Sequence, residues 1–529
     1  MTYVGGGSGA RLKAPLRRGG VGSGVWSVVV AALWFSSCLA AGVAAEPAQG
    51  NHVINVVLMG ATGNLAQKYL WTSLHNILAK GLAGDSAARK TALTMWPAAT
   101  KPASVSGPLM ESIFAHNVTY ASPASEAAFR KRVMPYTQLA EPAHFKGLAD
   151  HIQSQLDKDT ASEAGRLVYL SVPPKFFGDI AKSLKAHLLP QTPGAWFKVI
   201  VEKPFGVDLE SAQKLASELF QHLNPDQVLL IDHYCGKAGV AGIRHFLELN
   251  PEYSQNLLTA KHVKSIDVQM VETEDVKGRT SFYDEVGVVR DTMQNHLMVM
   301  LQLVAMEVPS SANANAEEAN RLQVVKSMPT EHRVERLAQY SEYNQHVREG
   351  GGKGDSKTPT YARVSMKIAG NHKLAGTRVV FTSGKALRAR RAYVQVEFKS
   401  GETLTFMVQG ELDVAGTKVS GGAIHASRGL PAFAKEPPQW TMSADKHTVT
   451  APKDAPNAYE VLLRDALEGR FNSFVKIPEV LEAWRLWGPV LSTVESGAAV
   501  PVTLYGIGGV GLPDLVNGVE AGKHAKVEL

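Results

Sequence analysis

Cysteine is nearly missing from these 529 residues: there are two. Cys38 falls in an N-terminal segment read below as removable, which leaves Cys235 alone in the mature chain. One thiol forms no internal disulfide and builds no cysteine metal site, so no metal is expected. The core must hold by burial, which a chain of this length permits. Charge of one sign is also scarce. The formal net charge is +6, but Arg11, Lys13, Arg17 and Arg18 belong to the same N-terminal segment, and without them 51 basic residues face 49 acidic ones. A near-neutral chain with no long Lys/Arg run carries no electrostatic footprint for nucleic acid. Past the N-terminal segment no apolar run approaches the length that crosses a bilayer, so no membrane association is expected after cleavage. Internal repeats are absent too. What remains is 45% hydrophobic and 20% charged residues with 47 glycines. That is ordinary globular composition, in a chain longer than one core serves, so two domains are expected.

The two ends read as addresses. The basic leader precedes the apolar run Val25 to Phe35, and the small residues Ala40 to Ala45 follow. Basic, apolar and small-residue regions in that order describe a secretory signal with cleavage after Ala45; an uncleaved anchor is the rival reading. The chain ends Lys526-Val527-Glu528-Leu529, three of four matches to the endoplasmic reticulum retrieval signal. Asn117-Val118-Thr119 is a glycan acceptor sequon.

Between the ends, strand and helix patterns alternate. Val53 to Met59 reads as a buried strand, Gly60 to Ala66 as a glycine turn, and Gln67 to Leu78 as a helix. Such a turn lets backbone approach a pyrophosphate at a helix amino end, and is equally a tight strand-to-helix connection. Further strands are expected over Ala92 to Trp96, Arg166 to Val172 and Phe197 to Val201, with helical stretches at 125–133 and 145–157. Asp208 is placed to cap a helix through Phe220. From Ser265 onward the pattern becomes apolar–polar alternation, repeated at 361–368, 393–398 and 403–408, which describes a largely antiparallel sheet. Between these runs one apolar helix, Val286 to Val308, carries Arg290, Asp291, Gln294, Asn295 and His296. Polar groups at that density in an apolar helix form either a bonded core network or a site.

Two clusters of polar chemistry close buried strands. Glu202-Lys203-Pro204 follows Val201, with a cation on a stiff, potentially cis, turn. Asp232-His233-Tyr234-Cys235-Gly236-Lys237 follows Val228 to Ile231 and offers an acid, an imidazole, a phenol and an ammonium within six positions. Its cations suit an anionic ligand and Asp232 could orient an imidazole base; a salt-bridged strand end has the same composition.

Taken together, Gly60 to Ala66, Glu202 to Gly206, Asp232 to Lys237, Arg279 to Leu297 and Ser383 to Arg390 resemble, in order, the motifs of glucose-6-phosphate dehydrogenases over Val53 to Gly506, with the endoplasmic reticulum hexose-6-phosphate branch nearest. The resemblance implies a signal (1–45), a Rossmann-like α/β coenzyme domain (46–232), an α+β domain with a large, mostly antiparallel sheet (233–518), and a tail (519–529). It implies that His296 is the general base and Asp232 its orienting partner. It further implies that His233, Tyr234 and Lys237 hold a 6-phosphate. Lys203, Glu272 and Asp291 would then meet sugar hydroxyls, with Lys385 and Arg390 completing the substrate site. Gly60, Thr62, Gly63, Asn64, Leu65, Tyr169 and Lys203 would meet the coenzyme. The expected reaction is C1 oxidation of a hexose 6-phosphate with NADP in the oxidative pentose phosphate pathway of the reticulum lumen, by a homodimer or homotetramer. NAD stays open, because after the second strand neither an Asp for a ribose nor an Arg for a 2′-phosphate is found, and Lys101 is the nearest cation. Asn64 and Ala238 depart from the family pattern. The lactone-hydrolysing domain fused to the animal reticulum enzyme is expected to be absent here. Two other readings are a nicotinamide oxidoreductase acting on unphosphorylated sugars and a non-catalytic lumenal binding protein.

Overall fold

The structure is a computed structural model that describes residues 51–82, 91–309, 314–431, 434–497 and 500–512. The signal segment (1–45) and the retrieval-like tail (519–529) lie outside the described residues.

The first sheet is wholly parallel. Its strands are β1 (Asn51–Met59), β2 (Ala92–Ala99), β3 (Thr137–Gln138), β4 (Ala161–Leu170), β5 (Trp196–Val201) and β6 (Val228–Leu230), in the order β3-β2-β1-β4-β5-β6. Val56, Val57, Leu58, Leu167, Val168, Val199 and Ile200 are fully buried because helices cover both faces. Strand order reverses between β1 and β4, so a crevice opens outside their carboxyl ends. The turn after β1 enters it and continues into a π-helical turn, Ala66–Leu70, and α1 (Trp71–Lys80).

The second sheet has ten strands: β7 (Val263–Val271), β8 (His332–Tyr340), β9 (Tyr361–Lys367), β10 (Arg378–Gly384), β11 (Arg391–Phe398), β12 (Thr403–Gln409), then, after the hairpin β13 (Glu411–Val414) and β14 (Thr417–Ser420), β15 (Ala423–Ala426), β16 (Thr441–Met442), β17 (Thr448–Thr450) and β18 (Val502–Tyr505). Only β7–β10 and β8–β18 pair in parallel; the other ladders are antiparallel, as the alternation requires.

The apolar helix differs from its sequence reading. It is not continuous over 286–308: Gly287 takes φ 64°, a conformation open to glycine, and breaks a lead-in helix (Thr280–Val288) from π-helical α2 (Val289–Leu297), which runs on as Met298–Ala305 and ends there. All eight residues of Met298–Ala305 are buried, so this rod passes through the centre of the molecule and carries α2 with it. Asp208 caps Leu209–Phe220 as expected, its carboxylate accepting from Ser211 N at 2.8 Å. Two later helices complete the frame: α3 (Ala458–Leu467) and α4 (Ile477–Ser496).

Candidate active site

Asp232 and His296, 64 positions apart, meet where the carboxyl end of β6 faces α2. His296 Nδ1 lies 2.6 Å from Asp232 Oδ1, and both side chains are buried. The same carboxylate oxygen accepts the backbone N–H of Tyr234 at 2.9 Å, which fixes it at the start of the turn His233–Gly236. Burial alone would raise the Asp232 carboxyl, but His296, Lys203 and His233 together hold it below the usual carboxylate range. Burial pushes the His296 imidazole below its ordinary 6.5, Asp232 opposes this, and Lys203 adds to the fall. The imidazole is therefore neutral at neutral pH, with Nδ1–H given to Asp232 and Nε2 left to accept.

What Nε2 accepts from is Lys203, whose Nζ stands 2.6 Å away and also donates to Asp291 O at 3.3 Å. The Lys203–Pro204 bond is cis, the isomer the sequence left open. Lys385 is held between carboxylates: it bonds Glu272 and pairs with Asp291 Oδ2 at 2.9 Å. Burial opposes its charge, yet Asp291 and Glu272 outweigh burial and raise it above the ordinary lysine value. Arg390 sits at the exposed rim, 3.0 Å from Glu274.

The remaining members of the 232–237 cluster pack beside the dyad. The Tyr234 ring stacks on His296 (4.4 Å between centroids) and carries Lys237 Nζ 4.1 Å over its own centre. The His233 ring meets His296 edge-on at 4.9 Å. Burial, then the nearby His296, pushes His233 down to about 3, so it offers an N–H rather than a formal charge. Burial and Arg390 push Lys237 down to about 8, which leaves it charged at neutral pH. Gly236 is obligatory here, since an added Cβ would stand 2.1 Å from Ala458 O.

The crevice at the first sheet is a cleft of about 740 Å³ lined by Gly60, Thr62, Gly63, Thr100, Glu141 and Val172, among others. Gly60 takes φ 83°, and a Cβ there would stand 2.1 Å from Ser171 O, so the backbone passes closer than any side chain allows. The helical segment that follows has Leu65 at its start and no side-chain cap; the Gln67 N–H is spent on Gly63 O at 3.0 Å, so the amides ahead of it are those an anion would meet. Asn64 is exposed beside them. These features fit a dinucleotide pyrophosphate. Tyr169, at the end of β4, spends its hydroxyl on Glu202 Oε1 at 2.5 Å, and burial pushes that carboxyl up to about 7 despite the bond.

Three residues at this site carried no signal that sequence reading could use. Gln409, at the end of β12, accepts from Lys237. Tyr459, at the start of α3, lies flat on His233 at 5.9 Å and 8° and stacks in turn on Tyr69 at 5.3 Å. Glu202 stood inside a quoted motif without a role. The first two come from elements far along the chain and nothing local marks them.

The model described as "Glucose-6-phosphate dehydrogenase, NAD binding domain" matches residues 57–241, and that described as "Glucose-6-phosphate dehydrogenase, C-terminal domain" matches 248–521. The chain belongs to the glucose-6-phosphate dehydrogenase family. This is a family of dehydrogenases with a nicotinamide-binding Rossmann-like domain, and the fold described above is its fold. Among relatives, the GDH/6PGL endoplasmic bifunctional proteins of Homo sapiens and Oryctolagus cuniculus are each 32% identical, over 90% and 89% of this chain. The chain spans just under two thirds of their length, 63% and 62%. Chloroplastic glucose-6-phosphate 1-dehydrogenase 1 of Arabidopsis thaliana is also 32% identical, over 67% of this chain and 64% of its own. A solved glucose-6-phosphate dehydrogenase in complex with glucose 6-phosphate superposes with TM-score 0.70 at 24% identity, covering 89% of this chain and 97% of that one.

Proposed function

We propose that this member of the glucose-6-phosphate dehydrogenase family oxidises glucose 6-phosphate at C1 to 6-phosphogluconolactone. The observation that carries the proposal is the buried 2.6 Å contact of His296 with Asp232, set beside Lys203 and the His233–Lys237 cluster. A bound nicotinamide coenzyme supplies the hydride acceptor. The C1 hydroxyl takes the place of the Lys203 ammonium at His296 Nε2, which receives the hydroxyl proton as hydride leaves C1. Asp232, accepting from Nδ1, holds the tautomer and stabilises the imidazolium that results. Lys203, displaced but tethered near Asp291, orients the sugar with Glu272, Asp291 and Lys385. The 6-phosphate is met by His233, Tyr234 and Lys237, with Arg390 at the rim. The lysine supplies the charge and the other two neutral hydrogen bonds.

The pyrophosphate lies against Gly60 to Leu65. NADP is the favoured coenzyme, although Lys101 is the nearest cation in sequence after the second strand; galactose 6-phosphate and other hexose 6-phosphates belong to the same substrate class. The signal pattern, the retrieval-like tail and the likeness to endoplasmic proteins support a lumenal site of action. A boundary after Asp232 divides coenzyme domain from substrate domain, and the working protein is a dimer or tetramer.

Coenzyme reduction followed by absorbance tests this, with NADP and NAD compared against glucose 6-phosphate, galactose 6-phosphate and free glucose. Reduction with the phosphates and little with glucose is expected. Equal rates with glucose would favour an oxidoreductase of unphosphorylated sugars. Silence from folded protein would favour a non-catalytic binding protein and point to Asn64.

A further inference from the structure

The helix that carries the dyad has a second face. Asp291 and His296 turn toward the site, while Arg290, Gln294 and Met298, recurring every four residues, look into a separate small cleft between α2, α4 and the Lys203–Phe205 turn. Its walls are chiefly apolar: Phe205, Val286, Met298, Val299, Val480 and Trp484. Water finds few partners in such a space.

The polar groups that reach the cleft are almost all spoken for. Arg290 donates to Val207 O at 2.8 Å and pairs with Glu495 at 2.6 Å. Glu479 is bonded by Arg321 and Gln302, both at 2.9 Å. Asn295 uses both ends of its amide, on Arg290 O and His296 N. Gln294 differs. It lines the cleft, is 5% exposed, and its side-chain amide has no hydrogen-bond partner among the described residues. That amide is left to bond a polar group of an occupant in place of water. Of the lining charges, Arg290 and Glu479 are ion-paired, and the Lys203 ammonium is directed to His296 Nε2 and Asp291 O on the side of the reacting groups.

We propose that this cleft binds a small uncharged molecule of one or two apolar rings bearing a single hydroxyl or carbonyl, seated on the apolar walls and hydrogen-bonded to Gln294. Lys203, Pro204 and Asp232 form part of its wall and present their other sides to the site. An occupant therefore acts on turnover from behind the reacting groups, without taking the place of the sugar phosphate.

The test uses 2-naphthol, a neutral two-ring alcohol whose absorption overlaps tryptophan emission, with Trp484 as the reporter in the wall. Wild-type protein is expected to show saturable quenching that disappears in Trp484→Phe. Ala483→Phe places a ring in the void and should weaken binding by about tenfold or more, roughly 1.4 kcal/mol. Gln294→Leu should weaken it severalfold. A wild-type far-ultraviolet circular dichroism spectrum and melting temperature report that Ala483→Phe is folded; Val480→Phe replaces it if it is not. Saturating 2-naphthol should change kcat about twofold or more without raising KM for glucose 6-phosphate, a free-energy effect of about 0.4 kcal/mol. Linear, unsaturable quenching, equal affinity in the filled variant, or competition with the sugar phosphate would each overturn the proposal. Because quenching needs no turnover, it stands or falls independently of the proposed reaction.

Discussion

A base that works from inside a protein has to stay neutral until it is used, and His296 is kept so by burial and by the Lys203 cation against the pull of Asp232. Turnover should therefore fall only at a pH below the ordinary histidine value of 6.5, where the imidazole protonates. Removing the base isolates its role: His296→Asn is expected to lower kcat by about 10²- to 10⁴-fold while glucose 6-phosphate binding, measured by calorimetry, stays near wild type. Loss of binding with turnover spared would refute the assignment. Lys237 gives the opposite limb. Its charge is present below about 8 and lost as pH rises through that value, so KM for the phosphate should climb in alkaline solution with kcat little changed. In Lys237→Met the limb should vanish and KM should be raised by about 10- to 100-fold at neutral pH, as a charge-assisted bond worth roughly 1.5–3 kcal/mol predicts. These residues were legible because each lies in a short run directly after an apolar strand, where type and spacing are visible together. Their pairing was not: across a separation of 64 positions nothing says that Asp232 Oδ1 points at His296 Nδ1. Gln409 and Tyr459 were silent for the same reason, since their importance exists only where β12 and α3 arrive.

At the scale of elements, the apolar centres of β1, β2, β4, β5 and β6 were legible, because parallel strands covered on both faces write themselves as apolar runs, whereas the mixed start of β4 at Ala161 and the two-residue β3 left no pattern. In the second sheet β8 (HRVERLAQY) mixes charges into a half-wet strand, and β16 and β17 are too short for any period to show. The missed break at Gly287 has a similar origin, for a single glycine inside an apolar pattern does not announce a positive φ. The joint that supports α2 from below is ionic. Arg321 is fully buried, bonds the carbonyls of Asn472 and Phe474, and pairs with Glu479 at the start of α4 at 2.9 Å, while Gln302 on the buried rod bonds the same carboxylate. Glu479→Ala strands that guanidinium and should cost about 3–5 kcal/mol, seen as a lower urea midpoint in chemical denaturation. A surface-like loss below about 1 kcal/mol would mean that the backbone carbonyls alone satisfy Arg321.

Across the whole molecule, stability rests on burial without covalent staples: among the described residues the single thiol, Cys235, is buried and unpaired, and burial pushes it well above its ordinary value. Native protein should ignore Ellman's reagent, react once unfolded, and show the same melting temperature with or without reductant. Rapid native labelling would mean that the turn at 233–236 opens. Segments far apart in sequence are joined by polar contacts, of which the α1–α3 joint is the plainest: Asn457 meets Ser73 at 3.2 Å, Glu460 bonds Asn76 at 2.9 Å and Lys80 at 2.7 Å, and Arg464 reaches Gly81 O at 2.6 Å. That joint also delivers Tyr459 onto His233. During synthesis, which adds about 5–20 residues per second, Asp232 and His296 leave the ribosome long before it. A nascent chain reaching residue 300 already contains Asp232, His296 and its coenzyme turn, yet His233 has no aromatic lid and Lys237 no amide to steady it. The anion pocket is thus closed only once α3 has been made, and a chain interrupted before it would contain the residues that take a proton but no settled grip on the molecule they should take it from.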